Sequence, residues 1–277
     1  MHRRWFLRTA APAALFSQRT LGGRRQPGAS QALRCYEKAN ALFVAKKFPE
    51  CQQALDAAVR LDPNLLPAWT LMAKLAMGMN QYDLARSSLQ RALAIDPASP
   101  YARFLSGFLY HLENDLQLAL PELEKARQLN PRDARPVLYL ALTRESLGQT
   151  AEASALYEEA IRLEEAAGKP TAEPLLAYSR LLFLLGRLND CGKLVDRALR
   201  LEPDSRDAHY ERARLLLTRG DAAAAAAEGE KALRLSGGIT DRQVRYLLVR
   251  AYQMAGQDRS AAEQAAALRA AEAKQVR

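Results

Sequence analysis

Residues 61–97 read LDPNLLPAWTLMAKLAMGMNQYDLARSSLQRALAIDP, a segment that opens on Leu61-Asp62-Pro63 and closes on Ile95-Asp96-Pro97, 34 residues later. Leu129-Asn130-Pro131 stands a further 34 residues on, and Leu201-Glu202-Pro203 follows after 72, two periods plus four residues. The four extra residues fall around Glu164-Glu165-Ala166-Ala167-Gly168-Lys169-Pro170, where a longer helix and a Gly-Lys-Pro stop replace the usual ending. A fixed period of this size means that each unit is one supersecondary piece, unable to bury its apolar face until neighbours stack on it.

Repeats that start near residues 32, 66, 100, 134, 172, 206 and 242 bring small residues into register. The eighth place reads Ala39, Ala73, Gly107, Ala141, Ser179, Ala213 and Val249, and the twentieth Cys51, Ala85, Ala119, Ala153, Cys191, Ala225 and Ala261. The twenty-seventh reads Ala58, Ala92, Ala126, Ala160, Ala198, Ala232 and Leu268. Columns of tiny side chains mark places where helix backbones approach closely, because a larger group there would overpack. Gly148, Gly186, Gly220 and Gly256 fall in mid-repeat and separate two helical halves. The alanine run 222–227 sits where a second helix belongs, and alanine is the best helix former.

Trp69-x-x-Met72-Ala73-x-x-Ala76, Tyr82-x-x-Ala85, Leu89-x-x-Ala92 and Pro97 resemble the tetratricopeptide repeat. The resemblance runs over about 32–275. It implies an all-α fold, a right-handed superhelical solenoid of about seven helical hairpins, with partner peptides held on the concave groove lined by the first helix of each repeat. Three departures stand out: repeat 4 lacks the terminal proline, repeat 6 has Gly237 in its place, and repeat 7 has Leu268 for the third small residue. The pentatricopeptide family, which reads RNA one base per repeat, has a nearby period, but its repeats do not end in Asp-Pro.

Of 277 residues, 49% are hydrophobic, and no apolar run is long enough to span a bilayer. The net charge is +9, but residues 1–30 hold six arginines and no acid; the 40 basic residues less those six leave 34 against 31 acidic, a balance of +3. A body so nearly neutral argues against nucleic-acid binding through phosphate neutralisation. The basic start, Arg3-Arg4-Trp5-Phe6-Leu7-Arg8, precedes the apolar 9–16 and resembles the bacterial twin-arginine export signal, with Arg3, Arg4, Phe6 and Leu7 in the places a receptor reads and Arg8 where Lys is usual. Residues 1–30 are therefore expected to be an export signal or basic disordered arm rather than part of the fold, with a periplasmic address if the signal works and a cytoplasmic one otherwise.

The chain offers little for catalysis. Three histidines, His2, His111 and His209, pair with no Cys or carboxylate at metal-ligand spacing, and there is no phosphate loop, nucleophile elbow or His-Glu-x-x-His. Cys51 and Cys191 stand where other repeats have alanine and read as small buried hydrophobes. No cofactor or metal is expected, and the expected function is a non-enzymatic scaffold for a protein or peptide partner; the rivals are a helical-repeat nucleic-acid binder and an enzyme with an unrecognised groove site.

Groove-facing places put Tyr36 and Asn40 in repeat 1 and Phe104 and Phe108 in repeat 3, an aromatic half. Arg180, Arg214 and Arg250 recur at the ninth place of repeats 5 to 7, with Phe183, Tyr210 and Tyr246 nearby. Arginine beside aromatics suits an acidic partner, since it gives bidentate carboxylate recognition and a large contact area. Glu173 and Asp207 lie two turns before Arg180 and Arg214, and Glu211 three residues before Arg214, so the ladder could equally be a self-neutralised face. A subset of the tetratricopeptide family clamps chaperone C-terminal carboxylates; of its pattern only Asn40 is present, Tyr36, Leu71, Tyr101 and Leu105 occupying the other places.

Overall fold

The computed structural model describes residues 27–275; Arg3, Arg4, Phe6 and Leu7 lie outside them. Every described element is a helix. In chain order they are α1 (Pro27–Val44), α2 (Phe48–Leu61), α3 (Leu66–Gly78), α4 (Tyr82–Ile95), α5 (Pro100–Leu112), α6 (Leu116–Leu129), α7 (Ala134–Ser146), α8 (Thr150–Ala166), α9 (Ala172–Leu184), α10 (Leu188–Leu201), α11 (Arg206–Thr218), α12 (Ala222–Arg234), α13 (Asp241–Met254) and α14 (Asp258–Gln275). This is an all-α helical-repeat solenoid.

The chain divides into two compact units, residues 2–143 and 144–277, and the division falls inside α7. In the first unit α1 packs on α2, α3 on α4 and α5 on α6, while the odd-numbered helices touch in succession, α1 on α3 and α3 on α5. In the second, α9 packs on α10, α11 on α12 and α13 on α14, and α9, α11 and α13 touch in succession. Each unit thus carries one wall built from the first helices of its repeats.

One backbone device ends the first helix of every repeat. The fifteenth place is left-handed in all seven: Lys46, Asn80, Asn114, Gly148, Gly186, Gly220 and Gly256, with φ between 59° and 86°. The next residue's N–H then donates back five places, as from Gln81 to Ala76 and from Asp221 to Leu216, which satisfies a helix-end carbonyl. Glycine enters this conformation without strain, and asparagine better than most other residues. The glycines are legible as turns in the sequence; Lys46, Asn80 and Asn114 are not.

The three small columns are buried as expected, except at Val249, which is half-buried. Ala85, Ala92, Ala119, Ala126, Ala198 and Ala213 are all 0% exposed. Close approach is tightest at Gly107 on α5, where an added Cβ would lie 2.5 Å from Leu123 Cγ and 3.1 Å from the Ala119 carbonyl oxygen on α6.

The recurrent proline is held by its own repeat's neighbour. Trp69 Nε1 and Arg103 Nε donate to the Pro63 and Pro97 carbonyls at 2.8 and 3.1 Å, and His209 Nε2 lies 2.8 Å from the Pro203 carbonyl, each side chain six residues beyond its proline. Where proline is missing, other groups hold the junction. After α8, Glu164 accepts from the Thr171 amide and hydroxyl at 2.8 and 2.9 Å. After α12, both Asp207 oxygens accept backbone amides, Ile239 at 2.7 Å and Gly238 at 3.0 Å, and Arg206 donates to the Leu235 carbonyl and to Asp241. Gly237 lets Arg206 lie against the chain, since a Cβ there would come within 2.7 Å of Arg206 Cβ.

Candidate functional site

In the second unit, α9 and α11 bring Arg180, Phe183, Tyr210, Glu211 and Arg214 together. Glu211 is 2% exposed; one of its oxygens lies 3.2 Å from Arg214 Nη2 and the other 3.9 Å from Arg180 Nη1. The Arg214 guanidinium lies 4.0 Å from the centre of the Phe183 ring, a cation–π distance. Both arginine side chains keep about a quarter of their surface open, 26% and 27%, while the carboxylate between them is shut away.

The trio is poorly satisfied. Glu211 Oε1, Arg214 Nε and Arg214 Nη2 are buried without a hydrogen-bond partner, and so is one oxygen of Glu173 at the start of α9. Unsatisfied buried polar atoms are rare in native proteins and call for an explanation, an absent ligand or water being one. Burial pushes the Glu211 carboxyl up despite Arg214 and Arg180, which pull it down. Burial also raises Glu173, to about 8, with Glu164 adding to the rise and Arg180 opposing it.

Not all of the expected ladder joins this pair. Arg250 is exposed and makes no ion pair among the described residues. Tyr246 is 47% exposed, with Arg242 on its own helix 5.6 Å from the ring centre. Asp207 does not serve as an arginine counter-charge, since both its oxygens are occupied by the loop after α12. Tyr210 is half-buried beside Glu211 and Arg214, and its phenol is raised chiefly by burial and then by Glu211.

In the first unit, Phe104 and Phe108 are core rather than groove: each is 1% exposed, their rings stack at 6.2 Å, and both pack on the buried Tyr139. The reason is the neighbouring repeat, whose Tyr139 fills the space in front of them. Tyr36 and Asn40 remain half-buried, the Asn40 Oδ1 without a hydrogen-bond partner. Two cations that the sequence reading passed over stand with them, Lys74 on α3 and Arg135 on α7. Lys74 occupies the same ninth place as Asn40 and the three arginines, which is the signal that could have found it.

The two described histidines have structural partners. His111 Nδ1 lies 3.0 Å from Thr143 Oγ1, and burial lowers its pKa. His209 bridges Glu228 and the Pro203 carbonyl. Cys35, Cys51 and Cys191 are free; burial pushes the last two thiols up to about 11, so they stay protonated and poorly nucleophilic. Among the described residues no group of His, Cys, Asp and Glu could hold a metal, and no helix is long and apolar enough to cross a membrane.

Family models described as tetratricopeptide repeat match residues 70–134 and 193–238, and a further one with the same description matches 140–166. No curated protein matches the sequence. Among solved structures, pilF of Pseudomonas aeruginosa superposes with a TM-score of 0.65 at 18% identity, covering 76% of this chain and 93% of its own. A tetratricopeptide repeat protein of Parabacteroides merdae gives 0.63 at 15% identity, covering 79% and 84%, and one of Thermus thermophilus gives 0.58 at 21%, covering 67% and 99%. At such identities the likeness is one of fold.

Proposed function

Because this chain carries tetratricopeptide repeats, a fold that generally mediates protein–protein interaction, we propose that it is a non-enzymatic scaffold that binds an acidic segment of a protein partner on the wall formed by α9, α11 and α13. One observation carries the reading: Arg180 and Arg214 converge on a single buried carboxylate whose Oε1, like the Arg214 Nε and Nη2, lacks a hydrogen bond. A partner carboxylate would find two guanidiniums already positioned, an aromatic platform in Phe183, and a partly desolvated setting in which a bidentate pair is strong. Arg250 and Tyr246, exposed on the next first-helix of the same unit, extend the surface for the flanking residues of the partner.

Export belongs to the same proposal. Arg3-Arg4 ahead of Phe6-Leu7 supports a bacterial chain sent out of the cytoplasm, where it would meet its partner. Crosslinking in cells, with the captured proteins identified, tests the binding reading. The wild-type chain should recover a defined partner that Arg214→Glu loses while keeping its helical signal. Recovery of the same proteins by both would discard the arginine pair as the contact.

A further inference from the structure

Repeats 3 and 6 carry the same clamp at their fourth place. In repeat 3, Arg103 donates from Nε to the Pro97 carbonyl, six residues back, at 3.1 Å, and from Nη1 to both oxygens of Glu122, nineteen residues on, at 3.0 and 2.9 Å. In repeat 6 the fourth place is His209, and it makes the same two links. Nε2 lies 2.8 Å from the Pro203 carbonyl, six residues back, and Nδ1 lies 2.6 Å from Glu228 Oε2, nineteen residues on. The ring thus ties the turn between α10 and α11, where repeat 5 ends, to α12, the second helix of repeat 6. The His209 and Glu228 side chains are largely buried, 12% and 13% exposed.

Both partners of the ring are acceptors only. A carbonyl oxygen has no proton to give, and Glu228 is held ionised: burial raises its pKa, but hydrogen bonds from His209 and Lys231 outweigh that and lower it. Two acceptors demand two N–H donors, and an imidazole has two only when it is protonated. Arg103 meets the same demand at every pH, since a guanidinium keeps its charge in proteins.

We propose that His209 is a proton-operated latch between repeats 5 and 6, closed by the imidazolium and opened at Pro203 when the ring loses a proton. The inference is independent of the acidic-partner reading. The remaining proton stays on Nδ1, because a hydrogen bond to a carboxylate is stronger than one to a neutral carbonyl. Nε2 then turns a lone pair toward the Pro203 oxygen, and that contact changes from attraction to repulsion. Since the closed junction takes up the proton, its stability falls as pH rises through the imidazole range. Neighbouring charges do not substitute for the ring. Lys231 is engaged on the second oxygen of Glu228 at 2.9 Å, Arg206 on the Leu235 carbonyl and Asp241, and Arg212 faces Asp196 of α10 at 3.4 Å. Glu202 and Asp204 are exposed at the turn, and among the described residues α9, α10 and α13 bring no hydrogen bond or ion pair to the ring. α11 also carries Glu211 and Arg214, so the latch governs how firmly the start of that helix is seated.

The experiment is amide hydrogen exchange on the full chain over residues 204–209, with residues 98–103 at the Arg103 clamp as the internal standard. Both rates are corrected for the intrinsic chemistry of exchange and compared as a ratio at about pH 5.5 and about pH 8, on either side of the ordinary histidine range. In the wild type, protection of 204–209 relative to 98–103 should fall on the order of ten-fold over that rise, which corresponds to the loss of one hydrogen bond. His209→Arg, which copies repeat 3, should keep the ratio high at both pH values. His209→Leu, which offers no donor, should keep it low at both. Nitrogen-15 NMR should show both ring nitrogens of His209 protonated at the lower pH and only Nδ1 at the higher. A wild-type ratio that does not change with pH, or a pH dependence that survives in His209→Arg, overturns the proposal.

Discussion

Glu211 and Arg214 stand three residues apart on α11 with 3.2 Å between a carboxylate oxygen and Nη2, yet the contact lacks hydrogen-bond alignment and Nη2 stays without an acceptor. Arg180 reaches the other oxygen only at 3.9 Å. Glu211 therefore occupies the arginine pair without satisfying it, and a ligand carboxylate competes with a weak resident.

The competition has a pH signature. Burial raises the Glu211 pKa, so as pH falls its carboxylate is lost before an ordinary glutamate's would be, and the two arginines are released while an acidic peptide is still charged. Binding of an acidic tetraglutamate peptide to the second unit's site should strengthen as pH falls from neutrality, before an ordinary exposed glutamate begins to take up a proton. Glu211→Gln should bind more tightly at the upper end, by several-fold, and lose the pH dependence. Calorimetry at a series of pH values checks this. Equal or weaker binding by Glu211→Gln would show that the glutamate helps to hold the arginines in place.

Lys74 makes stability depend on pH in the alkaline range. Its folded pKa of about 8 lies below the ordinary lysine value of 10.5, so between those values the unfolded chain binds more protons and stability rises with pH. At pH 7 the protonated amine is a burden of roughly 3 kcal/mol, on the scale of 1.36 kcal/mol per pH unit. Lys74→Met should raise the urea midpoint at pH 7, and the gain should shrink as pH approaches 10.5. A constant gain across that range would show that packing rather than charge is responsible.

Two glycines should respond in opposite ways to alanine. Gly107→Ala drives a Cβ into Leu123 Cγ and should cost roughly 1–3 kcal/mol by overpacking. Gly192→Ala on α10 meets the ends of two flexible side chains, Leu215 at 3.3 Å and the Arg219 guanidinium at 3.5 Å, and gains helix propensity of about 1 kcal/mol, so it should be neutral or stabilising. Urea melts of the two variants compare them directly. Equal midpoints would mean that Leu123 yields without cost.

Export turns on Arg3 and Arg4. Replacing both by lysine keeps the charge and removes the pair a receptor would read, so cell fractionation should find the chain held in the cytoplasm. Equal periplasmic yield from both forms would discard the twin-arginine reading.

The period of 34, the three small columns and the proline endings were all legible in the sequence, and each marks a real packing position. They are legible because backbone proximity is a strict local demand: only a tiny side chain fits, so the same place carries it in nearly every repeat. The left-handed turn at Lys46, Asn80 and Asn114 was hidden, because its strain is borne by residue types that also occur in ordinary helix and loop. The junction after α12 was equally hidden, since Arg206 and Asp207 hold a loop roughly thirty residues away in sequence.

For the candidate site, the sequence by itself determined that arginines and aromatics recur at fixed places of the first helices. Only the tertiary structure decided which of those residues are available. Phe104 and Phe108 are taken into the core by Tyr139, a contact made between repeats that no spacing rule predicts. Glu211, a helix-surface residue by its neighbours in sequence, becomes almost wholly buried because α9 lays Arg180 across it. Lys74, one of nine lysines, acquires its lowered pKa from burial in the apolar wall and then from Arg135. Burial and charge coupling are sums over neighbours brought in by stacking, so they exist only once the repeats are packed.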